Sequence, residues 1–180
     1  MNIKWVILPA VMIFAAGCAL LPVRDDSIFS PAEKKLLEKT TEALDFGFGY
    51  DEEVGLDYIH SHSFSEANVP AREKALAAAL KDVDPGDLLR FYGKVYRLGV
   101  MMRHRMAGYE KERNWRQYTY IKNYLIPPLD SFIGHIRKQL LAGNVATESR
   151  LAALHASIEK AVADYFYELE MEVLRDQWRI

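Results

Sequence analysis

Apolar side chains return every three or four residues along most of this chain, and that spacing commits it to helices. Between residues 88 and 126 the series runs Leu88, Phe91, Val95, Leu98, Met102, Met106 and Tyr109, then Trp115, Tyr118, Ile121 and Leu125. Between 151 and 173 it runs Leu151, Leu154, Ile158, Val162, Tyr165, Leu169 and Val173, heptad-like in spacing and continuing towards Trp178. Such positions share one face of a helix, so each run has a side to bury and a side to leave in water. No convincing alternation of strand type stands out.

Local signals divide the pattern. Ser30-Pro31-Ala32-Glu33 is a capping box with proline at the first helical position, predicting a helix to Leu44 with Leu37 and Leu44 inward. Residues 45–70, with Phe46-Gly47-Phe48-Gly49-Tyr50 and the His60-Ser61-His62 stretch, read as a loop holding one short helical turn. Such a loop is either functional or a connection packed by Phe46, Phe48 and Phe64. Residues 71–83 predict a helix with Leu76, Leu80 and Val83 on one face, and Asp84-Pro85-Gly86-Asp87 a turn and a fresh start. Gly108 is the expected break in the long run. Pro127-Pro128 is expected to end that run and open a helix carrying Leu129, Phe132, Ile136 and Leu140, closed by Gly143-Asn144. Thr147 caps the last helix. The expected fold is all-α: a bundle of about five helices, two of them long, forming a single domain over 31–180 after an N-terminal signal segment. Leu89, Tyr92-Gly93 and Tyr96 loosely fit the front half of a tetratricopeptide repeat, but Arg105 and Gln117 stand where its Ala and Pro belong, so a true repeat is rejected.

The first residues form a separate unit. Lys4 is followed by an uncharged stretch over 5–17, the length of a signal h-region and too short for a comfortable membrane span. Ala15-Ala16-Gly17-Cys18 follows, with Cys18 the only cysteine in 180 residues. This arrangement resembles the lipobox of bacterial lipoproteins, with Ala15 where Leu is usual. The resemblance covers residues 1–18 and implies cleavage after Gly17, with a diacylglycerol and an acyl chain on Cys18 as the only attached groups. It also implies a tether over 18–30, and Ala19 after the cysteine implies the outer membrane, facing the periplasm. An uncleaved anchor extended to residue 23 by Ala19-Leu20-Leu21-Pro22-Val23, interrupted by Pro9 and Pro22, and a cleaved signal without lipid remain alternatives. Two or three acyl chains anchor stably. Residues 19–30 reach at most ~40 Å, which keeps the domain at the membrane face.

Composition narrows the chemistry. A net charge of -2 does not drive the whole chain to nucleic acid or to membrane. A single cysteine excludes an intrachain disulfide, c-type haem attachment and multi-cysteine metal sites. Neither His135 nor His155 has Glu three residues earlier, so a di-iron bundle is not indicated. Met101, Met102, His104 and Met106 could suit copper(I), yet methionine on an apolar stripe is usually filler. Metal, nucleic acid and other cofactors are therefore not expected. Asp164, Glu168 and Glu172 line one helix face and would need a cleft to act as catalytic acids; a row of acids is normally a solvated side. No nucleophile elbow or phosphate loop occurs, and an enzyme is not expected.

Charge distribution says more. Arg90, Lys94, Arg97, Arg103, Arg105, Lys111, Arg113, Arg116 and Lys122 face only Glu110 and Glu112 in one run. Glu159, Asp164, Glu168, Glu170, Glu172 and Asp176 face only Lys160 and Arg175 in another. The two helices either pair with each other or leave the basic one for a partner. Tyr109, Trp115, Tyr118, Tyr120 and Tyr124 interleave with the basic run, the composition of interface hot spots. The expected function is a membrane-anchored binding or scaffolding module for a cell-envelope protein, with Arg103, Arg105, Arg113, Trp115, Arg116 and Tyr120 as contact residues. The alternatives are a periplasmic carrier of a lipid or apolar ligand in a hollow core, and an envelope enzyme using the acidic row.

Overall fold

A computed structural model describes residues 29–61 and 69–178, and the expectations for Cys18, the signal segment and His62 lie outside the described residues. Helix α1, Pro31–Leu44, starts as its sequence dictates: the Ser30 side chain accepts from the Glu33 N–H and the Glu33 carboxylate accepts from the Ser30 N–H at 2.6 Å. Leu37 and Leu44 are fully buried. Thr40 and Thr41 are buried beside them, their hydroxyls donating back to the carbonyls of Leu36 at 2.8 Å and Leu37 at 2.7 Å. Asp45 ends the helix in the left-handed conformation, φ 60°.

The expected loop over 45–70 is instead, through residue 61, an antiparallel hairpin: β1, Phe46–Asp51, pairs with β2, Leu56–Ser61, with Phe48 opposite Ile59. The alternation is present in Phe46, Phe48 and Tyr50, but glycine fills the positions between them and hides the strand signal. At the tip, the Asp51 carboxylate accepts from the Val54 N–H at 2.9 Å, and Gly55 takes φ +72°, a conformation that costs other residues about 1 kcal/mol. The Tyr58 ring lies over Gly49, where a Cβ would come within 2.9 Å of it. Phe46 packs edge-on against Phe132, and Phe48 against Phe29, which also touches Phe91.

Helix α2, Val69–Leu80, packs on α1 through Leu76 and Leu80. Arg72 pairs with Asp45 at 3.0 Å. Helix α3, Pro85–Lys111, is capped by Asp84 and supplies the spine of the core, including Phe91, Tyr92, Val95, Leu98 and Met102. It does not break at Gly108. The Glu112 N–H still reaches the Gly108 carbonyl, and the chain turns only at Arg113, φ 57°. Asn114 then caps α4, Trp115–Tyr120.

Pro127-Pro128 does not end the run either. A π-helical turn, Ile121–Leu125, carries α4 directly into α5, Ile126–Ala142. The carbonyls that the missing proline N–H groups would have met, on Asn123 and Tyr124, fall within the widened turn, and the Ile126 N–H bonds five residues back to Ile121. Helix α5 runs antiparallel to α3, with Arg103 paired to Asp130 and Ile133 against Gly99. Asn144 (φ 54°) reverses the chain and Thr147 caps α6, Glu148–Trp178. Helix α6 lies parallel to α3, as Tyr92 meets His155, Tyr96 meets Glu159 and His104 stacks on Phe166. Because α4 and α5 form one path, the described residues make five helical bodies, α3 and α6 the longest, plus the hairpin across α3 and α5. No described helix is long and apolar enough to cross a membrane.

Candidate docking surface

The turn between α3 and α4 brings the exposed basic and aromatic side chains together. Arg113 holds the left-handed position, the Asn114 side-chain Oδ1 accepts from the Gln117 N–H at 3.4 Å, and Trp115 and Arg116 stand on the first turn of α4. Trp115 is 56% exposed. Arg113 and Arg116 are exposed and have no hydrogen-bonded or ionic partner among the described side chains. Trp115 meets Tyr118 edge-on at 5.9 Å, and the Lys122 ammonium sits 5.3 Å over the Tyr118 ring.

The same segment is pinned from within by the hairpin. The Tyr120 hydroxyl donates to Asp51 at 2.8 Å, the Tyr109 hydroxyl to the Glu53 carbonyl at 3.2 Å, and Gln117 to the Glu53 carboxylate. Desolvation, then the Asp51 carboxylate that accepts its proton, push the Tyr120 phenol up to about 12. A rigid backing beneath exposed aromatics lowers the ordering cost of binding.

Of the six residues chosen from sequence, Arg113, Trp115 and Arg116 share this turn. The others serve the fold in part: Arg103 pairs with Asp130, Arg105 lies 5.9 Å from the Phe166 ring, and Tyr120 is tied to Asp51. Tyr124, named among the interleaved aromatics but not among the six contact residues, is 65% exposed. It lies within the π turn, between the buried Ile121 and Leu125.

The other candidates are placed as follows. Met102 is fully buried and Met101 and Met106 pack against the core, while His104 stacks on Phe166. Among the described residues no group of three His, Cys, Asp or Glu side chains converges as a metal site would require. Asp164 is exposed beside Lys160, and Glu168 and Glu172 are exposed on open helix. Helices α3 and α6 do pack together, but through Leu154, Ile158 and Val162 rather than opposed charge, and α3 sends Lys94 to Glu33 and Arg103 to Asp130. Between α3, α5 and α6 runs an open groove of about 360 Å³, floored by Val100 and Ile133 and rimmed by Arg103, Asp130 and Glu159. Beside it the Tyr92 hydroxyl lies 2.7 Å from His155 Nε2, and Tyr96 stacks on the imidazole at 3.8 Å. Burial, then the Arg137 guanidinium, hold His155 below its ordinary pKa.

Compared with protein-family models, curated proteins and solved structures, the chain gives no significant match.

Proposed function

We propose that the chain is a lipid-anchored helical docking module of the bacterial envelope, whose Arg113–Trp115–Arg116 turn receives an acidic protein surface. The observation that carries this reading is an exposed Trp between two arginines that have no partner among the described residues, on a backing fixed by Tyr120–Asp51 and Tyr109–Glu53. Aromatic and arginine side chains supply most interface energy when a partner excludes water from them. Position also supports it. The described chain begins at Phe29, packed on Phe91, whereas the turn follows Lys111 at the far end of α3, about 30 Å along the helix axis. A tether at one end would leave the turn facing away from the membrane.

The carrier reading needs an enclosed apolar hollow, whereas the groove over Val100 and Ile133 and a second one beside Leu36 and Val83 are open and have charged rims. Docking is therefore the reading these surfaces favour. Two measurements test it. The intact mass of the chain from host membranes, for wild type and Cys18→Ser, is expected to show acylation at Cys18 in the first only; an unmodified wild-type chain removes the anchor. Crosslinking in the same membranes is expected to capture a partner with wild type and lose it with Arg113→Ala/Trp115→Ala/Arg116→Ala. Equal capture by both removes the turn as the docking site.

A further inference from the structure

Helix α6 is unlike the other long helices in how little of it is covered. It has 31 residues, yet Leu151 and Val162 are its only fully buried side chains among those described, and α3 is the one element packed extensively along it. From Tyr165 onward the apolar stripe of Tyr165, Leu169 and Val173 stays half-buried, and Tyr167 and Leu174 are 63% and 46% exposed. Glu168, Glu170 and Glu172 flank this stripe, exposed and without an ionic partner among the described residues.

What covers such a stripe must be apolar along its middle and basic at its edges. The acids rule against two α6 segments lying on each other, because like charges would meet. The complementary surface is on this same chain. The constant offset of the α3–α6 contacts, Tyr92 with His155, Tyr96 with Glu159 and His104 with Phe166, sets the two helices parallel. Residues 168–174 of α6 are therefore level with the end of α3, at the same end of the molecule as Arg113, Trp115 and Arg116. Within one chain neither set is satisfied by the other, since the arginines and the glutamates lack ionic partners among the described residues.

We propose that a second copy of this chain covers both surfaces, the α6 tail of each protomer lying on the α3–α4 turn of its partner. The pairing is isologous, so one two-fold operation satisfies both tails and both turns and closes the assembly at two. An axis along the long helices also leaves Phe29 of both protomers at one end, which suits anchoring in a single membrane. The proposal rests on the reading of the turn as a docking surface, and names its partner.

A charge swap tests it. The full chain, in detergent, is examined by sedimentation equilibrium as wild type, as Arg113→Glu/Arg116→Glu, and as Glu168→Arg/Glu172→Arg. Wild type is expected to dimerise at micromolar concentration and each double variant to be weakened by about tenfold or more. An equimolar mixture of the two variants is expected to restore dimers, because each then offers the charge its partner lacks. All four side chains are exposed, and circular dichroism checks that the helices persist. A monomeric wild type overturns the pairing, as do variants that dimerise like wild type or a mixture that stays monomeric. The crosslinking comparison above judges the turn separately: partner capture that depends on it with a monomeric wild type ends the self-pairing alone.

Discussion

At the scale of single residues, Glu33 and His155 make opposite use of charge. Burial alone would raise the Glu33 carboxyl, but the Lys94 ammonium at 2.6 Å and the Ser30 N–H and hydroxyl outweigh it and bring it down to about 2. A carboxylate lowered in the folded state stabilises above its unfolded pKa of 4.5 and loses that contribution as pH falls towards 2. Glu33→Gln keeps the capping geometry without the charge, so it is expected to cost ~1 kcal/mol at pH 7 and progressively less as pH falls from 4.5 towards 2, by urea denaturation. His155 is lowered too, but as a base: the folded state holds it neutral while the unfolded chain takes a proton near 6.5. Its contribution is present above that pH and is lost as pH falls through it. Tyr92, Tyr96, Arg137, Glu148 and Glu159 form its surroundings, and a His155→Gln variant should show a flatter stability profile between pH 7 and 5. The Glu33 motif was legible because its capping partners lie three residues apart. The Tyr92–His155 contact spans 63 residues, and nothing in local sequence announces it.

At the scale of elements, the helices were legible where one face is buried along its whole length. Departures came where the backbone itself changes pattern. Glycines between the aromatics of β1 concealed a strand, and the π turn let Pro127 and Pro128 stand inside a helical path. Gly108, predicted to break α3, lies in regular helix, and nothing approaches within 4 Å of a Cβ placed there or at Gly134. Alanine at either position should stabilise by ~0.5–1 kcal/mol, since it only reduces unfolded-state freedom and fits without contact. Gly99 differs, because a Cβ would stand 3.2 Å from Ile133 and 3.1 Å from the Arg103 guanidinium. Gly99→Ala should therefore gain less than the other two, and thermal midpoints of the three variants measured side by side would rank them. The docking turn was half legible for a related reason. Sequence gives the run of Arg and aromatic residues, but not which of them face outward around the left-handed Arg113 and the π turn.

At the scale of the whole molecule, the chain separates two kinds of packing. The hairpin, α3 and α5 share one aromatic-rich core, which Leu37 and Leu44 of α1 and Leu76 and Leu80 of α2 join. Helix α6 joins this body along one side only, through α3. Its attachment sets an order of opening that no single contact reveals. Leu151 at the start of α6 belongs to the shared core and Leu154 packs on it, whereas the later turns pack extensively on α3 only, so α6 is expected to open from its C-terminal end. Native-state deuterium uptake should appear first over residues 165–175, next in the remainder of α6, and last in α3 and α5. In a paired protein the first of those steps would slow with rising protein concentration, and the accessory helix would then keep time for the assembly.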